Sequence, residues 1–269
     1  MSDANGKPKV AFFDFASCEG CQLTVVDSLQ THLDLLDAVE IVQFREAMTE
    51  KGEDYQIAFI EGSCTRRSDE ERLRKIREQA DIVVALGACA DLGGVNALKN
   101  LHPLEDVRRW VYGDKADWYE TYEARPISAV IQVDATLPGC PIDREEFVRV
   151  VKAVLLGKKP PVPDYPVCVE CKLKENVCMF HVGKFCLGPV TRAGCDAICP
   201  SYGDGCEGCR GLISHPNENA MKDVLAEAGL TVDEVLSRFT MFNTYQVQGR
   251  ADNAIPMARR ASVAEEEGK

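Results

Sequence analysis

The 269-residue sequence contains no apolar run approaching the roughly 20 residues that a membrane span needs, so it predicts no transmembrane helix. It also lacks a basic excess. With 31 Lys and Arg against 43 Asp and Glu, the formal net charge is −12, which argues against nucleic acid as the main partner because phosphate binding depends on clustered cations. The segment Met1 to Lys9 is polar, with neither a twin-arginine motif nor an apolar signal stretch, and cytoplasmic residence is expected. What the chain has in unusual amount is cysteine: 13 residues, an odd number, in a protein long enough for a sizeable core. In a reducing compartment such residues are more often metal ligands or catalytic thiols than disulfides.

Apolar runs rich in Val, Ile and Phe recur at Lys9 to Phe15, Val39 to Phe44, Tyr55 to Ile60, Asp81 to Leu86 and Ser128 to Val133, and they predict five buried strands. Helical stretches are expected between and after them, at Gln22 to Leu36, Ser68 to Gln79 and Asp143 to Leu156. Ser68 and Glu71 have capping-box spacing, and Asp143 is a candidate N-cap. Strands alternating with helices imply an α/β fold with a doubly wound parallel sheet. The Pro-rich stretch Lys158 to Pro166 reads as an extended linker, which divides the chain into residues 1–160 and a second, small module at 161–269. From Val167 to Gly211 there are eight cysteines in 45 residues and almost no hydrophobic periodicity, so bound metal is the simplest source of order. Two short amphipathic helices are expected near Asn219 to Ala228 and Val232 to Phe239, then a polar tail from Gly249 to Lys269 that is disordered or laid along a partner.

In the first region Cys18 and Cys21 follow the first strand, Cys89 the fourth and Cys140 the fifth. All four fall beyond strand C-terminal ends, the edge at which open α/β sheets bind ligands. Gly20, Gly87 and Gly139 beside them allow close backbone approach. A lone C-x-x-C has a redox dithiol as its usual rival, but two further cysteines at the same edge favour a four-thiolate cluster site. Cys64, after the third strand, is read as a free, partly buried thiol. The second region runs Cys168-x2-Cys171-x6-Cys178-x7-Cys186-x8-Cys195-x3-Cys199-Pro200-x5-Cys206-x2-Cys209. Eight cysteines suit two four-cysteine sites. Zinc ribbons also use paired C-x-x-C units, although the C-x3-Cys-Pro element matches the end of a bacterial ferredoxin run, and spacing alone leaves open which cysteines belong together. His181, between ligands, is read as a polar surface residue.

As a set, Ser17-Cys18-Glu19-Gly20-Cys21, Glu61-Gly62-Ser63, Gly87-Ala88-Cys89, Leu137-Pro138-Gly139-Cys140-Pro141 and Gly188-Pro189-Val190-Thr191 resemble the small subunits of nickel-iron hydrogenases over about Lys9 to Gly211. The resemblance is to the cytoplasmic soluble group, of the F420-non-reducing or NAD(P)-linked type. It implies a flavodoxin-like domain holding a proximal 4Fe4S cluster on Cys18, Cys21, Cys89 and Cys140. The C-terminal module is then expected to carry a distal 4Fe4S cluster on Cys168, Cys171, Cys178 and Cys186, and a medial one on Cys195, Cys199, Cys206 and Cys209. Cys168 and Cys199 stand where the membrane-associated branch of the family has a histidine and a proline, so three 4Fe4S clusters are implied.

The resemblance also implies an oxidoreductase subunit that passes electrons between the nickel-iron site of a separate large subunit and an external acceptor subunit, a flavin or iron-sulfur protein. The two extra cysteines of oxygen-tolerant relatives align roughly with Gly20 and Gly94, which implies an oxygen-sensitive enzyme. Glu19 and Glu61 are read as hydrogen-bond acceptors or solvated charges before proton relays. Two other classes stay open as rivals: an iron-sulfur subunit of a complex I-like oxidoreductase and a zinc-stabilised scaffold. No nucleic-acid partner is expected.

Overall fold

The computed structural model describes residues 6–254; most of the Gly249 to Lys269 tail lies outside the described residues. Five parallel strands form the sheet: β1 (Lys9–Asp14), β2 (Glu40–Phe44), β3 (Ile57–Glu61), β4 (Ile82–Leu86) and β5 (Ala135–Leu137), in the order β2-β1-β3-β4-β5. That is the flavodoxin-like doubly wound order, whose switch point lies between β1 and β3. Alternate residues of each strand face opposite sides. Val10, Phe12, Ile57, Phe59, Val84 and Leu86 enter one core, and Ala11, Phe13, Ala58, Ile60, Val83 and Ala85 the other.

The first core packs on α1 (Gly20–Thr31) and on α6 (Arg144–Leu155), and the second on α3 (Arg67–Gln79). A short α2 (Asp34–Ala38) follows α1. The expected single helix from Gln22 to Leu36 is thus broken after Thr31, because its apolar face does not continue: Leu33 and Leu36 are exposed while Leu35 is buried. Asp143 caps α6 as expected, accepting the Glu146 N–H at 2.8 Å. The Ser68 cap does not form. α3 begins at Arg67, and the Asp69 carboxylate turns back to accept the Thr65 N–H at 3.0 Å.

The fifth strand is displaced from its expected place. Residues Ile127–Ala129 form a 3-10 turn after Pro126, and Ile127 and Ile131 sink into the second core instead of joining the ladder. Pairing starts only past Asp134, whose carboxylate accepts the Val83 N–H at 2.8 Å and pairs with Arg77. Between β4 and β5 run α4 (Gly87–Leu92) and α5 (Leu104–Tyr112). Beyond the linker come α7 (Val167–Leu173), α8 (Ile198–Ser201), α9 (Glu218–Glu227) and α10 (Val232–Ala254). The last helix is far longer than expected from Val232 to Phe239, since Phe242 continues its apolar face onto Ala88 and Leu92 of α4.

Candidate metal centres

The ladder register sets the first group of thiols. Asp14 pairs with Glu61, Glu61 with Leu86 and Leu86 with Leu137, so four strands end in one row. Cys18, Cys21, Cys89 and Cys140 follow within a few residues of that row, and the structure brings them to one crevice. Cys21, Cys89 and Cys140 each feel neighbouring thiols of the set. Burial raises Cys89 to about 12, with Cys140 and Cys18 adding to the rise; burial raises Cys140 with Cys18 adding; and Cys21 is pushed well above its usual value by burial, Glu61, Cys140 and Cys89. Cys18 and Cys140 are exposed at the mouth and Cys21 lies at the floor.

Glycines make room for the sulfurs. A Cβ on Gly87 would lie 2.3 Å from Cys21 Sγ, and one on Gly94 would lie 3.1 Å from Cys89 Sγ. Both glycines have positive φ, so a side chain there meets strain as well as sulfur. Glu61, 2 % exposed, accepts the N–H groups of Cys21 and Gln22, each at 3.1 Å. Its carboxylate thereby caps α1 from a neighbouring strand, a task that the left-handed Glu19 at the helix start leaves undone. Glu19 instead faces Arg45 at 3.5 Å.

Cys64 stands apart. Its sulfur lies in the second core, on the opposite side of the sheet from Cys21, 3.0 Å from the Tyr122 hydroxyl. Burial raises this thiol, and the groups acting on it are Tyr122, Arg125, Asp69 and Glu70, with none of the other twelve cysteines among them.

The eight remaining thiols act on one another in two overlapping groups, with Cys206 in touch with both. Burial lifts Cys168 to about 11, with Cys186, Cys171 and Cys178 adding to it, and Cys186 is raised by burial with Cys171 and Cys178 adding. Cys209 is lifted to about 12 by burial, with Cys195, Cys140 and Cys199 contributing, and Cys206 is raised strongly by burial with Cys209 and Cys186 contributing. Gly188 is wedged between two sulfurs of the first of these groups: a Cβ there would lie 3.2 Å from Cys186 Sγ and 3.4 Å from Cys168 Sγ.

Backbone contacts tie each group to the next. The Cys206 N–H donates to Cys186 Sγ at 3.2 Å, and the Cys140 backbone acts on the Cys209 thiol, opposing its rise. Glu170, inside the C-x-x-C of α7, accepts the Gly194 N–H at 2.8 Å and the Ala197 N–H at 3.2 Å, fixing the loop that carries Cys195. Sequence reasoning missed Glu170, and also Glu146 and Arg210, whose buried pair joins α6 to this region. Glu170 and Arg210 are signalled only by position, inside or directly beside a cysteine motif, and Glu146 carries no such signal.

Buried thiols with raised pKa values stay protonated at neutral pH unless a cation replaces the proton, and metal coordination does that outright. Among the described residues, no three Cys, His, Asp or Glu side chains are arranged to hold one metal ion. Clustered thiols with glycines beside the sulfurs and N–H donors to sulfur fit a polynuclear iron-sulfur centre, which takes one thiolate per iron.

Comparison with known proteins agrees. Residues 18–154 match the family described as NADH ubiquinone oxidoreductase, 20 Kd subunit. The chain is 37% identical over 232 residues to the sulfhydrogenase 2 subunit delta of Pyrococcus furiosus, covering 86% of this chain and 96% of that protein. It is 32% identical to an F420-non-reducing hydrogenase subunit of Methanocaldococcus jannaschii, covering 88% of this chain and 94% of that protein. A solved NAD+-reducing [NiFe]-hydrogenase in the H2-reduced state superposes with a TM-score of 0.53 at 28% identity, over 58% of this chain and 96% of that one. Among the described residues no helix is long and apolar enough to cross a membrane. The chain therefore belongs to the NADH ubiquinone oxidoreductase 20 kDa subunit family of oxidoreductase subunits, as a relative of nickel-iron hydrogenase small subunits.

Proposed function

We propose that this chain is the electron-transfer small subunit of a cytoplasmic nickel-iron hydrogenase, carrying three 4Fe4S clusters. What supports the reading is the mutual influence of neighbouring thiols: Cys89 and Cys140 feel Cys18, Cys168 and Cys186 feel Cys171 and Cys178, and Cys209 feels Cys195 and Cys199. Cys18, Cys21, Cys89 and Cys140 hold the proximal cluster; Cys195, Cys199, Cys206 and Cys209 the medial; Cys168, Cys171, Cys178 and Cys186 the distal. When bound, such clusters supply one-electron oxidation and reduction at potentials tuned by charge and by hydrogen bonds to sulfur.

The chain's own groups do the rest. Glu61 and Glu170 hold the backbone on which ligands are mounted, and Gly87, Gly94 and Gly188 leave space beside the sulfurs. The Gly188 and Cys206 N–H donors to Cys186 favour the charged thiolate. The exposed Cys18 and Cys140 mark the face that meets a large subunit bearing the nickel-iron site, and the exposed Cys178 the face toward a flavin or iron-sulfur acceptor subunit. The division at residue 160 separates the region that binds the proximal cluster from the one that binds the other two. Oxygen sensitivity is expected too, because Gly20 and Gly94 stand roughly where the oxygen-tolerant branch has its two extra cysteines.

The test is iron and zinc analysis with EPR of the anaerobically purified complex. About twelve irons per chain and three reducible centres are expected on the four-irons-per-site assignment. Tightly bound zinc and a colourless protein would overturn it in favour of a scaffold. The order of the centres is read from variants: Cys18→Ser blocks hydrogen-driven reduction of the other two clusters, whereas Cys168→Ser leaves proximal and medial reduction intact. Equal reduction of the remaining clusters in both variants contradicts that order.

A further inference from the structure

Arg210 is 1 % exposed, and its guanidinium ties together three segments. Nη2 donates to Glu146 Oε1 at 2.8 Å while Nη1 stands 2.8 Å from Oε2, a two-point pair with α6. Nη1 also donates to the Pro138 carbonyl at 2.7 Å, and Nε to the Ala193 carbonyl at 2.8 Å. Each anchor adjoins a thiol: Pro138 precedes Cys140 by two residues, Ala193 precedes Cys195 by two, and Arg210 itself follows Cys209. Gly194 lets the group through, since a Cβ there would lie 2.2 Å from Nη2.

Taking a guanidinium and a carboxylate out of water is costly, and apolar packing of the same volume often serves stability as well or better. What the pair supplies is geometry, because the planar fork fixes several partners at once. Here it fixes together the chain leading into Cys140 and the loop leading into Cys195, from a position directly after Cys209. It also places charge. At Gly194, next to Cys195, the guanidinium is the nearer member of the pair: a Cβ there would lie 2.2 Å from Arg210 Nη2 and 2.7 Å from Glu146 Oε1. Among the acids around Arg210, Glu146 is paired with it and Asp91 feels its field together with that of Arg192.

We propose that Arg210 is a positioning residue: it holds the centre on Cys195, Cys199, Cys206 and Cys209 against Cys140 and, as a fixed buried cation, raises the midpoint potential of that centre. The sign follows from electrostatics: the reduced state carries one more negative charge, and of the Arg210–Glu146 pair the cation is the member nearer the Cys195 loop, so the pair as a whole favours reduction. This inference rests on reading those four thiols as the ligands of one centre.

The experiment is an EPR-monitored redox titration with iron analysis on the anaerobically purified complex, comparing wild type, Arg210→Met and the double variant Arg210→Met/Glu146→Met. The single variant leaves Glu146 buried without its partner and is expected to lose iron from the medial set and to melt earlier. In the double variant both charges are gone and folding is expected to recover. With full iron, its medial centre should titrate lower, by about tenfold in the ratio of oxidised to reduced protein at fixed poise, equivalent to 59 mV for one electron. The proximal and distal midpoints should stay in place. An unchanged medial midpoint in the iron-replete double variant, or full iron and wild-type melting in Arg210→Met, overturns the role of Arg210. A wild type whose iron content leaves the Cys195 set empty overturns the reading beneath it as well, and iron analysis tells the two failures apart.

Discussion

The sheet region and the cysteine segment 167–211 are ordered by different forces. In the sheet, Phe44, Phe12, Phe59 and Phe147 stack in a row with centroid separations of 4.4, 5.0 and 5.8 Å, backed by Val25, Val84, Leu86 and Leu137. Burying each such side chain contributes roughly 1.5–3 kcal/mol. Around Cys186 and Cys206, by contrast, the core is Val167, Met179 and Ala197 together with the two cysteines themselves. Hydrophobic burial can hold the first region without a cofactor. In the second, the thiols occupy places that apolar side chains would otherwise fill.

Removing iron should expose that difference most strongly. Structural metal sites can be worth on the order of 10 kcal/mol of folding free energy, so anaerobic chelation is expected to unfold residues 167–211 while Lys9 to Leu155 stays folded. Hydrogen exchange or limited proteolysis reads this directly. Uniform protection across both regions after iron loss would erase the distinction. Phe59→Ala is the reverse experiment: it opens a cavity in the aromatic row and should cost about 3–5 kcal/mol in denaturant unfolding of the sheet. Iron bound to Cys168, Cys171, Cys178 and Cys186 should remain. Its loss would mean that the two regions unfold as one unit.

A smaller effect is expected where the two forces meet. Glu61→Ala leaves the N–H groups of Cys21 and Gln22 without their acceptor, at a cost of about 1–3 kcal/mol. The frayed start of α1 should make iron on the Cys18 set more easily chelated, with the irons of the other two sets unaffected. Chelation at the wild-type rate would show that the cap is structural ornament for that site.

The same contrast explains what could be read from the residues alone. Buried strands announce themselves by apolar runs, and β1 to β4 lie close to where those runs fall. β5 does not, because Ile127 and Ile131 are buried from a turn, and a run of apolar residues carries no mark of whether it joins a ladder. Cysteine spacing and position beyond strand ends located the candidate ligands. The groups that hold their loops, Glu61 apart, were invisible, since Glu146, Glu170 and Arg210 act through contacts 24 to 72 residues distant in sequence. The length of α10 was hidden for a like reason: its middle, at Met241 and Phe242, packs on α4, far away in the sequence.

The thirteenth cysteine gives the finest test of the comparison, because it is a thiol placed in the apolar region. Cys64 is fully enclosed in the second core, and the Tyr122 hydroxyl beside it also donates to Glu70 at 3.0 Å. Deleting the sulfur therefore strands no partner. Cys64→Ala should cost on the order of 1 kcal/mol and no iron, whereas Cys89→Ser, beyond the next strand, should release the irons of its set. The pH dependence has a definite sign. Burial raises this thiol above its ordinary 9.0, so the folded chain keeps the proton when the unfolded chain has begun to lose it. The wild-type advantage over Cys64→Ala is thus fully present below pH 9 and shrinks as pH climbs toward the folded value. Native protein should likewise resist alkylation at Cys64 near pH 8, since the thiolate is the reactive form. Rapid labelling there, or iron lost on its removal, would place Cys64 with the ligands instead of the core.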